Sequence, residues 1–200
     1  MTGVVGVLLA AGAGTRMGAP KALVRDAASR PWVVTAARAL SDGGCDPVLV
    51  VVGARSDEVR AALVDEDVEV IDAPDWATGM GASLRAGVRT AAHLDADAAI
   101  IHLVDVPDVG AEVVRRLCAQ AAPDVLARAG YGPRTHGHPV LIGREHWVGV
   151  AGSAHGDSGA RAYFCDHPVT VIECADLAAG VDVDRVEDLP VGSAVPKLSA

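Results

Sequence analysis

Aromatic side chains are scarce in this 200-residue sequence, which has one Phe, three Trp and two Tyr. Half of its residues are apolar all the same. The core must therefore be built from Ala, Val, Leu and Ile, small side chains that let helices lie close on a sheet. A C-x-x-C pair is missing among the four cysteines, Cys45, Cys118, Cys165 and Cys174. That removes the common zinc and thiol-redox motifs, and free thiols in a reducing cytoplasm are expected. Basic excess is missing too, since the formal net charge is −9. A nucleic-acid groove needs a cationic surface to displace counterions, so nucleic acid is not an expected partner. A phosphorylated small molecule is still allowed, because a few Arg and Lys in one cleft make a local positive field. No apolar run reaches the length of a membrane span, and no membrane partner is expected. The apolar stretch 4–13 has no basic lead-in and runs into Arg16 and Lys21, which is not the pattern of a secretory signal. Internal repeats, heptads and low-complexity tracts are absent.

What remains is an alternation of short apolar runs and helical periods. Residues 4–9, 48–52, 68–71, 98–104 and 169–174 read as strands, with 125–127 and 139–142 able to pair across the loop between them. Residues 32–40, 56–64, 80–93, 109–121 and 158–164 read as helices. Pro31 is placed to start the first, Ser56 to cap the second, and Asp108 to cap the fourth. Such alternation predicts an α/β three-layer sandwich with a mostly parallel, Rossmann-like sheet. A single domain over 1–200 is expected, with a nucleotide-binding part at 1–124 and an acceptor-binding part at 125–189. The second part is expected to fold over one edge of the sheet. A loose tail is expected at 190–200.

The loop Ala10-Ala11-Gly12-Ala13-Gly14-Thr15-Arg16-Met17-Gly18-Ala19-Pro20-Lys21 follows the first strand. It should sit at a carboxyl end of the sheet, where open α/β sheets bind ligands. Small residues let backbone N–H groups approach an anion, and Arg16 and Lys21 add charge for phosphates. A Walker A loop would need Lys and Ser or Thr directly after its last Gly, whereas Ala19 and Pro20 follow Gly18. A dinucleotide fingerprint would need G-x-G-x-x-G, and the spacing of Gly12, Gly14 and Gly18 is one residue too long. A loop wrapping a nucleoside triphosphate, or an ordinary Gly-rich turn, is left. Two further segments carry chemistry. Gly79-Met80-Gly81-Ala82-Ser83-Leu84 opens a helix, whose free N–H groups suit an anion or a polar base edge. Asp105 leaves the buried strand before Val106-Pro107 and is a good hard-metal ligand, because the sheet fixes its direction.

Together these segments resemble the MobA-like NTP transferase family. Ala10, Ala11, Gly12, Arg16, Met17, Gly18 and Lys21 match its signature loop, with Thr15 at a small-hydroxyl position. Gly79, Met80, Ser83 and Leu84 match its G-M-x-x-S-L segment, and Asp105 with Pro107 its V-D-x-P strand end. The resemblance implies a nucleotide-diphospho-sugar transferase-like fold. It implies a triphosphate held by Leu9, Ala10, Ala11, Gly12, Gly14 and Thr15, with Gly79, Met80 and Ser83 at base and ribose. Arg16, Lys21 and Asp105 become the catalytic residues. Mg²⁺ is implied on Asp105 and on either Asp182 or Asp184, from the segment 182–189 that resembles D-I/V-D-T-P-E-D-L; Arg185 and Val186 replace its usual Thr-Pro.

On the acceptor side, Gly137-His138-Pro139 and Gly156-Asp157-Ser158-Gly159-Ala160-Arg161 resemble elements of the molybdenum-cofactor cytidylyltransferase branch. His136 and His138 form an H-x-H pair, but no third ligand has a zinc-like spacing. The resemblance assigns His138, Pro139, Gly156, Asp157 and Arg161 to the acceptor. It implies transfer of a nucleoside monophosphate from CTP to a molybdopterin-like phosphate, and a molybdoenzyme or its chaperone as a possible partner. Two rival expectations stand beside it: an NAD(P)H-dependent reductase of the same family, and a non-catalytic cofactor-binding protein.

Overall fold

A computed structural model describes residues 3–133 and 135–196. Seven strands form one sheet in the order β3-β2-β1-β4-β6-β5-β7. They are β1 (Val4–Leu9), β2 (Val48–Val52), β3 (Glu69–Asp72), β4 (Ala98–Leu103), β5 (Leu126–Gly130), β6 (His136–Gly143) and β7 (Thr170–Glu173). Only β6 is reversed, pairing antiparallel with both β4 and β5. The helices are α1 (Trp32–Asp42), α2 (Ser56–Ala62), α3 (Met80–Ala91), α4 (Ala111–Cys118), α5 (Trp147–Ser153) and α6 (Arg161–Asp166).

The strand period decides the layers. Along β1, Val4 and Leu8 join a cluster with Val33, Leu40, Val59 and Leu117 under α1, α2 and α4. Val5, Val7 and Leu9 alternate to the other face, with Leu84, Val88, Trp147 and Val150 of α3 and α5. A strand buried on both faces has no polar alternation, and β1, β2 and most of β4 are buried throughout. The expected α/β three-layer sandwich is therefore the observed one.

Several local expectations change. Residues from 125 onward do not fold over an edge of the sheet; β6, β5 and β7 extend it beyond β4. The H-bonding edge of β4 needs a partner, and the apolar run 139–142 supplies one that is buried at Leu141 and Ile142. Ser56 is the first residue of α2 rather than its cap, which is Arg55 in a left-handed conformation. Asp108 does not cap α4, whose N-cap is Gly110. Its carboxylate accepts instead from the backbone N–H groups of Ala179 and Gly180. Part of the tail is tied down, since Arg25 and Ala194 exchange two backbone hydrogen bonds. Residues 197–200 of that expected tail lie outside the described residues.

The chain leaves β3 on one side of β1 and returns through α3 to β4 on the other. That reversal opens a crevice at the carboxyl ends of β1 and β4. Close packing holds α3 over it. A Cβ on Gly87 would stand 2.4 Å from Val7 Cγ1 and 3.1 Å from Val51 Cγ2. Gly87→Ala gains up to about 1 kcal/mol of helix propensity. Overpacking costs about 1–3 kcal/mol, and at this separation the helix must move. The substitution is expected to lower the urea midpoint of unfolding. An unchanged or higher midpoint would contradict close α3–β1 packing.

Candidate functional site

The loop after β1 is shaped by its own backbone. Ala10 N–H donates to Val51 O and Ala54 N–H to Ala11 O, so the strand register carries on into the turn. Gly14 has φ +61, and a Cβ there would fall 1.9 Å from Ala19 O. No side chain fits at that point. Met17 turns inward to pack with Val24, Trp32 and Val183. Its anchoring leaves Arg16 outward and lets the Lys21–Leu23 turn aim Lys21 at the end of β4.

There the Lys21 ammonium sits between two carboxylates, 2.8 Å from Asp105 Oδ2 and 2.5 Å from Asp184 Oδ1. Arg16 Nη1 reaches Asp184 Oδ2 at 2.6 Å. Asp184 is delivered by the C-terminal segment, which Val183 N–H ties to Asp105 O at 2.8 Å. Burial works against the Lys21 charge, but hydrogen bonds and the nearby charges of Asp105 and Asp184 outweigh it and raise the pKa. The same bond to Lys21 lowers the pKa of Asp184, helped by Arg16. Asp182 behaves oppositely. Burial and the neighbouring Asp105 carboxylate push it above the ordinary range.

Two cavities meet at this end of the sheet. One, of about 510 Å³, is lined by the loop from Ala11 to Arg16, by Lys21, Asp105, Asp157 and Asp184, and by Gly79 and Ser83. The other, of about 770 Å³, is lined by His138, Arg161, Phe164, Arg128 and Asp182. Leu9 and Met80 line both and form the partition. The start of α3 is pressed against the segment 154–157: a Cβ on Gly79 would lie 2.4 Å from the Gly156 carbonyl carbon, and one on Gly81 would lie 2.8 Å from His155 N.

Most residues singled out in the sequence converge here, with five shifts of place. Ala10 is buried beneath the loop and lines neither cavity. Pro139 is likewise buried behind the wall, because the strand alternation turns it away while His138 and Val140 line the cavity. Gly156 backs the partition, and Asp157 faces the loop-side cavity rather than the larger one. Asp182 lines the larger cavity, apart from the Lys21–Asp184 contact.

Other residues escaped the sequence reading. Trp76 and Ala77 line the first cavity, and Arg128 the second. His102 is wholly buried on β4, with both ring nitrogens unpartnered among the described residues. Burial and the neighbouring His138 push its pKa down to about 3, so it stays a neutral core side chain. The sole signal for it was one polar letter in an apolar strand.

The profile of the MobA-like NTP transferase domain matches residues 6–171. The chain belongs to the MobA-like NTP transferase family. It is also 38% identical over 195 residues to a nicotine blue oxidoreductase of Paenarthrobacter nicotinovorans, spanning 93% of this chain and 94% of that protein. A bifunctional GlmU protein of Cutibacterium acnes is 30% identical over 172 residues, which are 78% of this chain but 38% of the relative. Among solved structures, a nucleotidyl transferase from a Methanothermobacter species superposes with a TM-score of 0.81 at 22% identity, covering 94% of each chain. A Mycobacterium tuberculosis protein crystallised with manganese superposes at 0.72 with 26% identity, covering 94% of this chain and 96% of that one.

Within this MobA-like site, no three His, Cys, Asp or Glu side chains among the described residues form a cage for a metal ion. The donor set still fits a hard divalent cation. Asp105 Oδ1 is buried without a hydrogen-bond partner among the described residues. Mg²⁺-type ions are commonly held by one or two carboxylates plus substrate phosphates and water.

The opposite pKa directions of the two C-terminal acids give opposite stability effects. Asp184, lowered in the folded state, stabilises above its unfolded pKa, and that gain is lost as pH falls through the folded value. Asp182, raised in the folded state, favours folding only while protonated, so it destabilises at neutral pH. In metal-free buffer at pH 7, Asp184→Asn is expected to lower Tm and Asp182→Asn to raise it. Both differences should shrink towards pH 3, and equal signs at pH 7 would refute the assignment.

Proposed function

We propose that this protein transfers a nucleoside monophosphate from a nucleoside triphosphate, with CTP as donor, to a phosphorylated acceptor of molybdopterin type, releasing pyrophosphate. The observation that carries the reading is the meeting of loop, Arg16, Lys21 and Asp105 in one cavity, with a second cavity across a shared wall. A donor in the first and an acceptor in the second would approach each other at Leu9 and Met80. Holding two reactants in line supplies most of what phosphoryl-type transfer needs.

Charge balance in the first cavity supports a divalent cation as co-ligand. Three carboxylates there, Asp105, Asp157 and Asp184, face two cations, Arg16 and Lys21. A triphosphate entering alone would meet excess negative charge. Asp105, with Asp184 or Asp182, would hold the ion, for which we propose Mg²⁺; when bound it supplies charge neutralisation and polarises phosphate oxygens. Lys21 then exchanges its bond to Asp184 for one to phosphate oxygen and stabilises the charge that develops as pyrophosphate departs. Arg16, exposed and paired with Asp184, can swing to the terminal phosphates. The loop N–H groups and the start of α3 orient the nucleotide.

A second reading is favoured by the full-length similarity to a protein named as an oxidoreductase. In that case a nicotinamide dinucleotide would span both cavities. The loop spacing supports the transferase, since Gly12, Gly14 and Gly18 miss the dinucleotide pattern by one residue.

A pyrophosphate-release screen of four nucleoside triphosphates, with and without molybdopterin, is paired with an NADPH-oxidation assay. Release is expected with CTP, acceptor and Mg²⁺ together. Lys21→Met should lower kcat by about 10²–10³-fold, the usual loss for a positioned charge donor. Asp105→Asn should abolish metal-dependent turnover without unfolding the chain. NADPH oxidation with no pyrophosphate release would transfer the assignment to the reductase.

A further inference from the structure

Arg128 stands where the sheet calls for an apolar side chain. It lies on β5 two residues after Leu126, on the face that packs with Ile142, Val140 and Trp147. Its register partners are Val140 on one side and Val171 on the other. Among the described residues the guanidinium has no ion pair, and its Nε is buried with no hydrogen-bond partner. Nearly every other arginine around the sheet is engaged: Arg38 with Glu66, Arg60 with Asp72, Arg115 with Glu112, and Arg116 with Asp176. A buried donor without a partner costs stability, and five N–H groups in a fixed fork are a poor choice for filling apolar space.

The cavity that Arg128 enters has the opposite charge balance to its neighbour. Among the described residues its lining carries Arg128 and Arg161 against one carboxylate, Asp182. The remaining walls are largely aliphatic or aromatic, including Leu84, Ile101, Val140 and Phe164. An anion can settle here without a metal ion, whereas a polyphosphate in the first cavity needs one. The guanidinium fork matches a planar or tetrahedral oxyanion in two-point contact.

We propose that Arg128 is the anion anchor of the second cavity, which takes an organic molecule with a largely apolar body and an oxyanion, carboxylate or phosphate, seated on this guanidinium. The inference deepens the acceptor side of the proposed transferase and rests on that reading only for the name of the occupant. Arg161, on the short helix α6 at the rim, is exposed and guides entry. Arg128, rooted in the sheet, fixes how the body lies and hence which end faces Leu9 and Met80.

The test uses two probes with the same kind of apolar body, 8-anilinonaphthalene-1-sulfonate and the uncharged N-phenyl-1-naphthylamine. Fluorescence titrations of the full chain are run in EDTA. Wild type is expected to bind the sulfonate more tightly than the neutral probe. Arg128→Met should weaken the sulfonate at least tenfold and change the neutral probe less than twofold. Arg128→Lys, with charge but no fork, should fall between. Removing an unpartnered buried group should also raise Tm in Arg128→Met by about 2–4 °C, the shift that roughly 1 kcal/mol gives in a chain of this size. Unchanged sulfonate binding in Arg128→Met overturns the proposal. So does an equal loss of both probes, or a loss seen in Arg161→Gln and not at Arg128. Failure of pyrophosphate release would leave these titrations unaffected, so the two readings fall separately.

Discussion

The Lys21 ammonium between Asp105 and Asp184 is the contact on which the site depends. It joins three parts of the chain that are far apart in sequence: the loop after β1, the end of β4 and the segment that follows β7. None of these positions is set by the contact alone. The parallel pairing of β1 with β4 brings Leu9 level with Leu103, which sets the loop beside Asp105. Val183, bonded to Asp105 O and packed with Met17 and Trp32, brings Asp184 in from the opposite side. Lys21 is only partly exposed, so this contact is screened less than surface ion pairs such as Arg60–Asp72.

From this follows a division of electrostatic labour between the two cavities. The first is rich in carboxylates, of which Asp105 and Asp184 are paired with Lys21 and Arg16, so a ligand that uses these cations must exchange partners with them. Such a site discriminates, because a polyphosphate without a cation cannot compensate Asp105, Asp157 and Asp184 together. The second cavity has an excess of arginine and an acid, Asp182, whose charge is disfavoured by burial. Between them, Leu9 and Met80 put apolar atoms where the ligands would meet. Water is least welcome there, and electrostatic effects at that point are correspondingly stronger.

Legibility in the sequence tracked the range of the interactions involved. The strands of the first half could be read because β1, β2 and β4 are buried on both faces and leave unbroken apolar runs. The loop could be read because its small residues allow a turn in which no side chain fits at Gly14, and because Arg16 and Lys21 have no place in an apolar core. By contrast, the apolar pattern marks β5 only at 125–127, because Arg128 breaks it, whereas the strand runs from Leu126 to Gly130. The same residue that hid the strand is the one left without a partner in the second cavity. The capping roles of Ser56 and Asp108 were also misread. Their side chains satisfy a local rule, but Arg55 takes the cap of α2, while Asp108 is drawn to Ala179 and Gly180, 71 and 72 positions away. Long-range backbone donors are invisible to a window of neighbouring residues.

The choice between the two C-terminal acids shows what only the folded arrangement supplies. Asp182 and Asp184 are equivalent by spacing, and an extended chain would put both on one side. In the fold, Val183 is pinned between them to Asp105 O, and the two carboxyl groups separate. Asp184 meets Lys21 and Arg16, gains two cations and stays ionised. Asp182 turns towards His138 and the second cavity, where burial disfavours its charge. A metal ion arriving with phosphates would find Asp184 ionised but committed to Lys21, and Asp182 uncommitted but reluctant to ionise. A cation held near Asp105 would lower the cost of ionising Asp182 and, by drawing on Asp184, would free Lys21 for a phosphate, so ligand entry would reorganise both acids at once. The two carboxylates thus differ in the charge state their surroundings favour, and the backbone bond of Val183 to Asp105 O, with its packing on Met17 and Trp32, holds them apart.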